Sequence, residues 1–496
     1  MFEKILIANR GEIAVRILRA CRELGVKVVA VYSDVDRSAL HVRYADEAYC
    51  IGEGPPRESY LRLGRIIDAA IRAKVDAIHP GYGFLSESSL FAQACSEANL
   101  VFIGPSPQAI RLISDAESLR RAVEAAGVSL APVTGWDLSD EELIAAAERL
   151  SYPLLVRAVA SGGGKGVRAV ASPPELPSAL EAARREAKAA FDDDRVYLER
   201  LMEGARHIEI QIMGDSEGHF IHLGEREGSI RRRHQQLVEE APSPALDEKL
   251  RQEMGQAAIH IAQKIGYTNI GTVEFLLNKE GDFYFLSLSP RLQAGHPVTE
   301  MVTGIDIVKE QLRLASGRRL RYRQEDVSLR GHALECRILA EDPYRDFMPS
   351  IGRITGLHEP GGPGVRVESG IYEGFEISPY YDSLIAKLIV WGERRAEAIL
   401  RMRRALKEYR IIGVKTTIPF YQKLLNHIRF ITGHFDSTFV ESRLSSLLTE
   451  KNEEHLEIAA IAATLLAHRQ GAAPTQKPRP TASPWKIISR WEGMEL

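Results

Sequence analysis

The sequence predicts an α/β protein with an α+β C-terminal part: a helix-covered parallel sheet first, a largely antiparallel sheet after it. Three observations carry this. Over the first hundred residues, short apolar runs alternate with segments of helical spacing. Beyond residue 204, strand-like runs follow one another with apolar and polar residues interleaved. A length of 496 residues, 45% apolar and 26% charged, suffices for two or three domains of an ordinary soluble globular protein.

Lys4–Ala8 (KILIA) reads as a buried strand, and Glu12–Leu24 as a helix with Ile13, Val15, Ile17, Leu18 and Cys21 at helical spacing. Val26–Tyr32 is a second strand. Helices near 60–73 and 87–98 separate strands at Ala77–His79 and Val101–Ile103. Asn9-Arg10-Gly11 falls at the end of the first strand, where ligands often sit in such sheets, but it is not a GxGxxG dinucleotide fingerprint. From about 113 to 203, alanine-rich helical segments flank Leu154–Arg157 and the run SGGGKG (Ser161–Gly166). Strands follow at His207–Met213, His219–Leu223, Thr272–Leu277 and Asp282–Leu288, and mixed elements continue to about 445. Glu453–Arg469 reads as a helix with an apolar stripe, Gly471–Pro484 as a Pro-rich extended linker, and Trp485–Trp491 as an apolar, aromatic terminus.

Charge and cysteine usage exclude several classes. A net charge of −3 gives no reason to expect nucleic acid. Cys21, Cys50, Cys95 and Cys336 form no CxxC pair, so neither a zinc site nor a disulfide framework is expected. A reduced, cytoplasmic setting is the simplest expectation. No signal peptide is apparent, and no window approaches 18 uninterrupted apolar residues.

Several motifs carry candidate chemistry. The SGGGKG run offers bare backbone amides and a lysine to phosphate oxygens, or is a surface hairpin; it is not a Walker A loop. Arg231-Arg232-Arg233 reads as a solvated face in the absence of context. Arg291, Gln293, His296 and Arg337 are polar residues amid apolar ones, suited either to binding a carboxylate or bicarbonate or to structural ion pairs. Glu274 could supply one metal ligand, whereas the strand Phe285–Pro290 offers only hydroxyls.

ILIANRGEIAVRILRACRELG (5–25), HPGYGFLSES (79–88), FIGPS (102–106), RHIEIQI (206–212), HPVTEMVTGIDIVKEQL (296–312), GHALECRILAEDP (331–343) and PYYDSLIAKL (379–388) occur in order. Together they resemble biotin carboxylase, an ATP-grasp enzyme, over residues 1–445. The resemblance implies a Rossmann-like N-terminal domain (1–112), an ATP-grasp linker and lid (113–203), and an ATP-grasp core with a C-terminal domain (204–445). Residues 446–496 would be a helix, linker and Trp-containing docking tail. It implies ATP, magnesium or manganese, and biotin borne on a partner carrier protein.

Position by position, the resemblance implies nucleotide contacts at Arg157, Gly162, Gly163, Gly164, Lys165, Gly166, Glu199, His207, His234 and Leu276. It places one metal ligand at Glu274, the bicarbonate arginine at Arg291 beside Gln293, and the enolate-stabilising arginine at Arg337. The departures gather on the same chemistry. An ATP-contacting lysine is Ala116, the lid lysine is Arg157, and the bicarbonate-site lysine is Gln236. Two further metal ligands are Ser287 and Ser289, and the base is Gly295. Glu280 and Asp282, on the turn before the altered strand, point away.

The leading expectation is therefore a degenerate member acting as a structural or regulatory subunit of an acyl-CoA or pyruvate-type carboxylase. The rivals are a working biotin carboxylase and an ATP-grasp ligase for another substrate. Arg16, Arg19, Glu23, Arg366 and Asp382 match the family's dimer surface, with Pro363 in place of an aromatic. A homodimer or a heterodimer with an active biotin carboxylase is expected, as is docking of a carboxyltransferase or carrier subunit through residues 446–496.

Overall fold

Val, Ile and Leu runs short enough for buried strands, each followed by an amphipathic helix, force the first hundred residues into a parallel sheet. The computed structural model describes residues 1–159, 166–233 and 235–448. Strands β1 (Lys4–Ile7), β2 (Lys27–Ser33), β3 (Glu47–Gly52), β4 (Ala77–His79) and β5 (Val101–Phe102) pair in parallel in the order β3-β2-β1-β4-β5. Helices α1 (Gly11–Glu23), α2 (Leu63–Ala73) and α3 (Ser89–Glu97) connect them. The Asn9-Arg10 strand end is not an open ligand crevice. Asn9 donates to the Pro80 and Tyr82 carbonyls, both at 2.7 Å, and Arg10 is forked onto Asp36 at 2.6 and 2.7 Å.

A small antiparallel sheet follows, β6 (Leu154–Ala158) between β7 (Val167–Val170) and β8 (Val196–Arg200). Helices α4 (Asp140–Leu150) and α5 (Leu176–Phe191) pack on it through Leu143, Ala147, Leu176 and Leu180. Of the glycine-rich run, Gly162, Gly163, Gly164 and Lys165 lie outside the described residues. Gly166 has φ +68, and a Cβ there would crowd the Ala158 methyl, so only glycine suits the turn.

Eight strands form the main sheet: β9 (Arg206–Gly214), β10 (Phe220–Arg232), β11 (Gln235–Ala241), β12 (Asn269–Leu277), β13 (Phe283–Ser289), β14 (His332–Leu339), β15 (Val365–Ser369) and β16 (Leu384–Gly392). Their order is β13-β12-β9-β10-β11-β14-β16-β15, every neighbouring pair antiparallel. Helix α6 (Glu248–Ile265) covers one face with Met254, Ala258, Ile261 and Ala262. The arginine run is not a solvated face: Arg231 and Arg232 are half-buried on β10, and only Arg233 is exposed. Residues Met1–Leu447 form one compact unit. His234 and the segment from residue 449 onward, where a helix, a linker and the Trp485–Trp491 docking motif are expected from the sequence, lie outside the described residues. Among the described residues, no helix is long and apolar enough to cross a membrane.

One ion-pair knot in this sheet sets an acid limit. Glu240 on β11 meets His332 Nε2 at 2.7 Å and Arg395 at 2.7 and 3.0 Å. Burial opposes its charge, but His332 and Arg395 outweigh burial and hold the carboxyl at about 2. An unfolded glutamate titrates near 4.3. The knot therefore stabilises the fold fully above about pH 4.5 and loses its contribution, about 3 kcal/mol, as pH falls toward 2. Glu240→Gln should melt below wild type at pH 7, with the gap closing as pH drops. A gap independent of pH would contradict this account.

Candidate active site

Four neighbouring strands set four polar side chains in one row. Arg226 on β10 stands opposite Glu209 on β9, Glu209 opposite Glu274 on β12, and Glu274 opposite Ser287 on β13. Arg226 is wholly buried, and its Nε and Nη2 both donate to Glu209 Oε2 at 3.1 Å. Its other bonds reach Gln211, Thr299, Thr272 and Gln293 at 2.8 to 3.1 Å.

Glu274 is saturated by the protein itself. Its Oε1 accepts from Ser289 Oγ and Gln293 Nε2, both at 2.8 Å, and its Oε2 lies 3.0 Å from His207 Nε2. Burial opposes ionisation, but His207, Ser289 and the nearby Arg231 outweigh it and hold the carboxyl well below the usual range. Among the described residues, His207, Glu209 and Glu274 form the one His and carboxylate cluster close enough to hold a metal. Glu209 is already engaged by Arg226 and by Gln236 Nε2. Ser287 and Ser289 bring neutral hydroxyls, leaving Glu274 as the one carboxylate that β12 and β13 present to the cleft, too little negative charge to fit a pair of metal ions.

Of the side chains expected to meet an anion, Gln293 and Arg337 join the same network, whereas Arg291 pairs outside it. Arg291 Nε donates to Glu87 at 2.5 Å, and Gln293 bridges Arg226 and Glu274. Arg337 Nη2 donates to Gln236 Oε1 at 2.9 Å and Glu239 Oε1 at 2.8 Å. Gln236 thus holds two neighbours by hydrogen bonds but supplies no positive charge. His296 is wholly buried, its Nδ1 2.8 Å from the Gln293 carbonyl, a structural placement. Leu276 follows Glu274 by two residues on β12, on the same face and opposite His207.

Gly295 is buried, and a Cβ built there would overlap the Glu239 carboxylate. Glu239 Oε2 has no hydrogen-bond partner among the described residues. Burial opposes its charge too, but Arg337 and Arg226 outweigh it, and its carboxyl lies below the ordinary value. Its cross-strand neighbour Glu335 is pushed well above the ordinary value by burial and by Glu239 itself. Glu280 and Asp282 are exposed on the turn before β13, and Asp282 meets Asn278 there.

A cleft of about 380 Å³ runs from this row to the small sheet. Leu119, Tyr197, Phe285 and Leu288 give it apolar walls, and Arg120, Arg157 and Arg291 give it positive charge. Ala116 lines it with a methyl, and Arg157 Nη1 pairs with Glu199 Oε2 at 3.0 Å. Apolar walls with a few cationic side chains suit a small anionic ligand.

A second hollow of about 320 Å³ is lined by Arg16, Arg19, Glu23 and Arg366 with Glu300 and Glu368. Arg16 reaches Glu300 at 2.9 Å and Asp306 at 2.7 Å, and Arg366 reaches Glu300 at 2.8 Å. Asp382 is exposed and is not part of that lining. Arg226, Glu209 and Glu239 are not apparent from sequence. A signal is nevertheless present: His207, Glu209 and Gln211 put three polar residues on one face of an otherwise apolar strand.

Three family descriptions match consecutive parts of the chain: "Biotin carboxylase, N-terminal domain" (1–110), "Carbamoyl-phosphate synthase L chain, ATP binding domain" (115–323) and "Biotin carboxylase C-terminal domain" (335–442). A biotin carboxylase of Nostoc sp. is 54% identical over 89% of this chain and 99% of its own. Biotin carboxylase 1 of Bacillus subtilis is 50% identical over 89% and 99%. Among solved structures, the biotin carboxylase domain dimer of Hydrogenobacter thermophilus 2-oxoglutarate carboxylase, in complex with MgADP, ADP and bicarbonate, superposes with a TM-score of 0.88 at 46% identity. The match covers 91% of this chain and 99% of that one.

Proposed function

The chain belongs to the biotin carboxylase family, and from that premise we propose that it serves in a biotin-dependent carboxylase assembly with its own carboxylation chemistry lost. The observation carrying this is the row Arg226–Glu209–Glu274–Ser287, whose carboxylates are satisfied by side chains and hydroxyls. Gly295 cannot accept a proton, and Gln236 cannot supply the positive charge of a lysine. Loss of one general base alone typically costs roughly 10²–10⁴ in rate. Losses within one catalytic unit do not simply add.

The partner would be a second copy or an active biotin carboxylase, met at the Arg16–Arg366 hollow. A carboxyltransferase or carrier subunit would dock through residues 446–496. The acyl or keto-acid substrate would be set by that carboxyltransferase.

A second reading, a working biotin carboxylase, draws support from identities near 50% and from one structural detail. The Glu239 carboxylate takes up the space of the missing side chain at 295. In that reading Glu239 would accept the bicarbonate proton. ADP release by the full chain with Mg-ATP, bicarbonate and free biotin separates the two. The expected rate is at least about 10²-fold below an active relative. A rate near the control, abolished in Glu239→Gln, would establish the second reading instead.

A further inference from the structure

We propose that the cleft takes a nucleoside polyphosphate without a divalent cation, a reading that rests on the loss of carboxylation chemistry proposed above and deepens it. Three carboxylates line the cleft, and each is engaged. Glu87 holds Arg291 at 2.5 Å, and Glu199 holds Arg157 at 3.0 Å. Glu274 takes Ser289, Gln293 and His207 at 2.8 to 3.0 Å. Magnesium requires near-octahedral oxygen ligands at about 2.0–2.1 Å and gives up water reluctantly. Entry here would break the Glu274 bonds, and beside the nucleotide's own phosphate oxygens it would gain one carboxylate and no further charge.

The charge that a metal would bring is supplied in another form. Arg226 and Arg231 face the two acids of the row, Glu209 and Glu274. With Ser287 at its end, the row and the adjacent Arg231 set two carboxylates against two guanidinium groups, a balance that calls for no dication. On the cleft side, Arg120, Arg157 and Arg291 converge with Ser287 and Ser289. Arg157 Nε is buried and has no hydrogen-bond partner among the described residues. Guanidinium forks match phosphate oxygens, and the Ser287 hydroxyl can donate to them without demanding a metal, the Ser289 hydroxyl being committed to Glu274.

Calorimetric titration of the full chain with ATP and with ADP, in EDTA and in excess magnesium, tests this, with ADP production followed in the same samples. We expect binding in EDTA as tight as in magnesium to within about threefold, a difference under 1 kcal/mol. Arg157→Ala should weaken the EDTA titration at least about tenfold. Ser287→Glu with Ser289→Asn should shift binding toward a magnesium requirement, because it adds a carboxylate to the row. Binding that needs magnesium by tenfold or more, without turnover, would overturn this proposal and leave the carboxylation-deficient reading standing. The same would follow if neither condition gave binding. A magnesium requirement with turnover would sink both.

Discussion

Ala116→Lys, Gln236→Lys, Ser287→Glu, Ser289→Asn and Gly295→Glu, made together, should raise biotin-dependent ATP cleavage by at least roughly 10²–10⁴, the usual worth of a single general base. The set adds one carboxylate and an amide oxygen for metal ions, two ammonium groups for phosphate and bicarbonate, and a base. Gly295→Glu alone should give no gain and a lower melting temperature. Its side chain would meet the buried Glu239 carboxylate, which Arg337 fixes at 2.8 Å. Two buried carboxylates in contact repel, and a protein relieves this by keeping one protonated or by unfolding locally. Lysine at 236, near Glu209 and Arg337, is the change that lets both acids remain charged. The measurement is ADP release against wild type for the single, the pair Gly295→Glu with Gln236→Lys, and the full set. Full activity from Gly295→Glu alone would show that Glu239 is no obstacle. A full set no faster than wild type would mean the cleft has been remodelled beyond these five positions.

How far the sequence reveals this site depends on the side chain. The strands of the main sheet are legible because apolar and polar residues alternate along His207–Met213 and Thr272–Leu277. Strand β11 and the second half of β10 are not, because Glu225, Arg226, Glu227, Ser229 and Arg231 make a charged stretch look like solvent-facing chain. Most of these groups are buried because neighbouring strands and helix α6 supply partners, a fact of tertiary pairing that no single segment encodes. Glu239 is hidden for a sharper reason. Pairing of β10 with β11 steps from Ile230–Val238 to Arg231–Gln236, one residue against two. This bulge brings Gln236 and Glu239 to the same guanidinium of Arg337, although simple alternation sends them to opposite faces. The altered positions 287, 289 and 295 are legible by resemblance. That Ser289 and Gln293 close the remaining oxygen of Glu274 required the geometry.

Arg226→Met should be the most destabilising single change in the main sheet, by roughly 3–5 kcal/mol. Arg226 has no exposed surface, and the acid it neutralises, Glu209, is 1% exposed. Removing the guanidinium takes away the one arginine that hydrogen-bonds this carboxylate, leaving Gln236 and His207 in contact with it and Arg231 and Arg337 farther off. It also strips a donor from Gln211 and one from Gln293. Gln293 in turn orients toward Glu274, so the loss spreads along the row into the cleft. An exposed ion pair gives the contrast: Arg121, 75% exposed beside Glu117, should cost less than about 1 kcal/mol when replaced by alanine. The pair Arg226→Met with Glu209→Gln tests the cause. If the penalty comes from an uncompensated buried charge, the double variant should recover much of the stability lost by the single one, and a double-mutant cycle reads the coupling directly. Additive losses in that cycle would assign the cost to packing instead. A melting temperature unchanged by Arg226→Met would remove the buried row as an organising element of the sheet. Charge balance in the row would then no longer account for the exclusion of a metal ion.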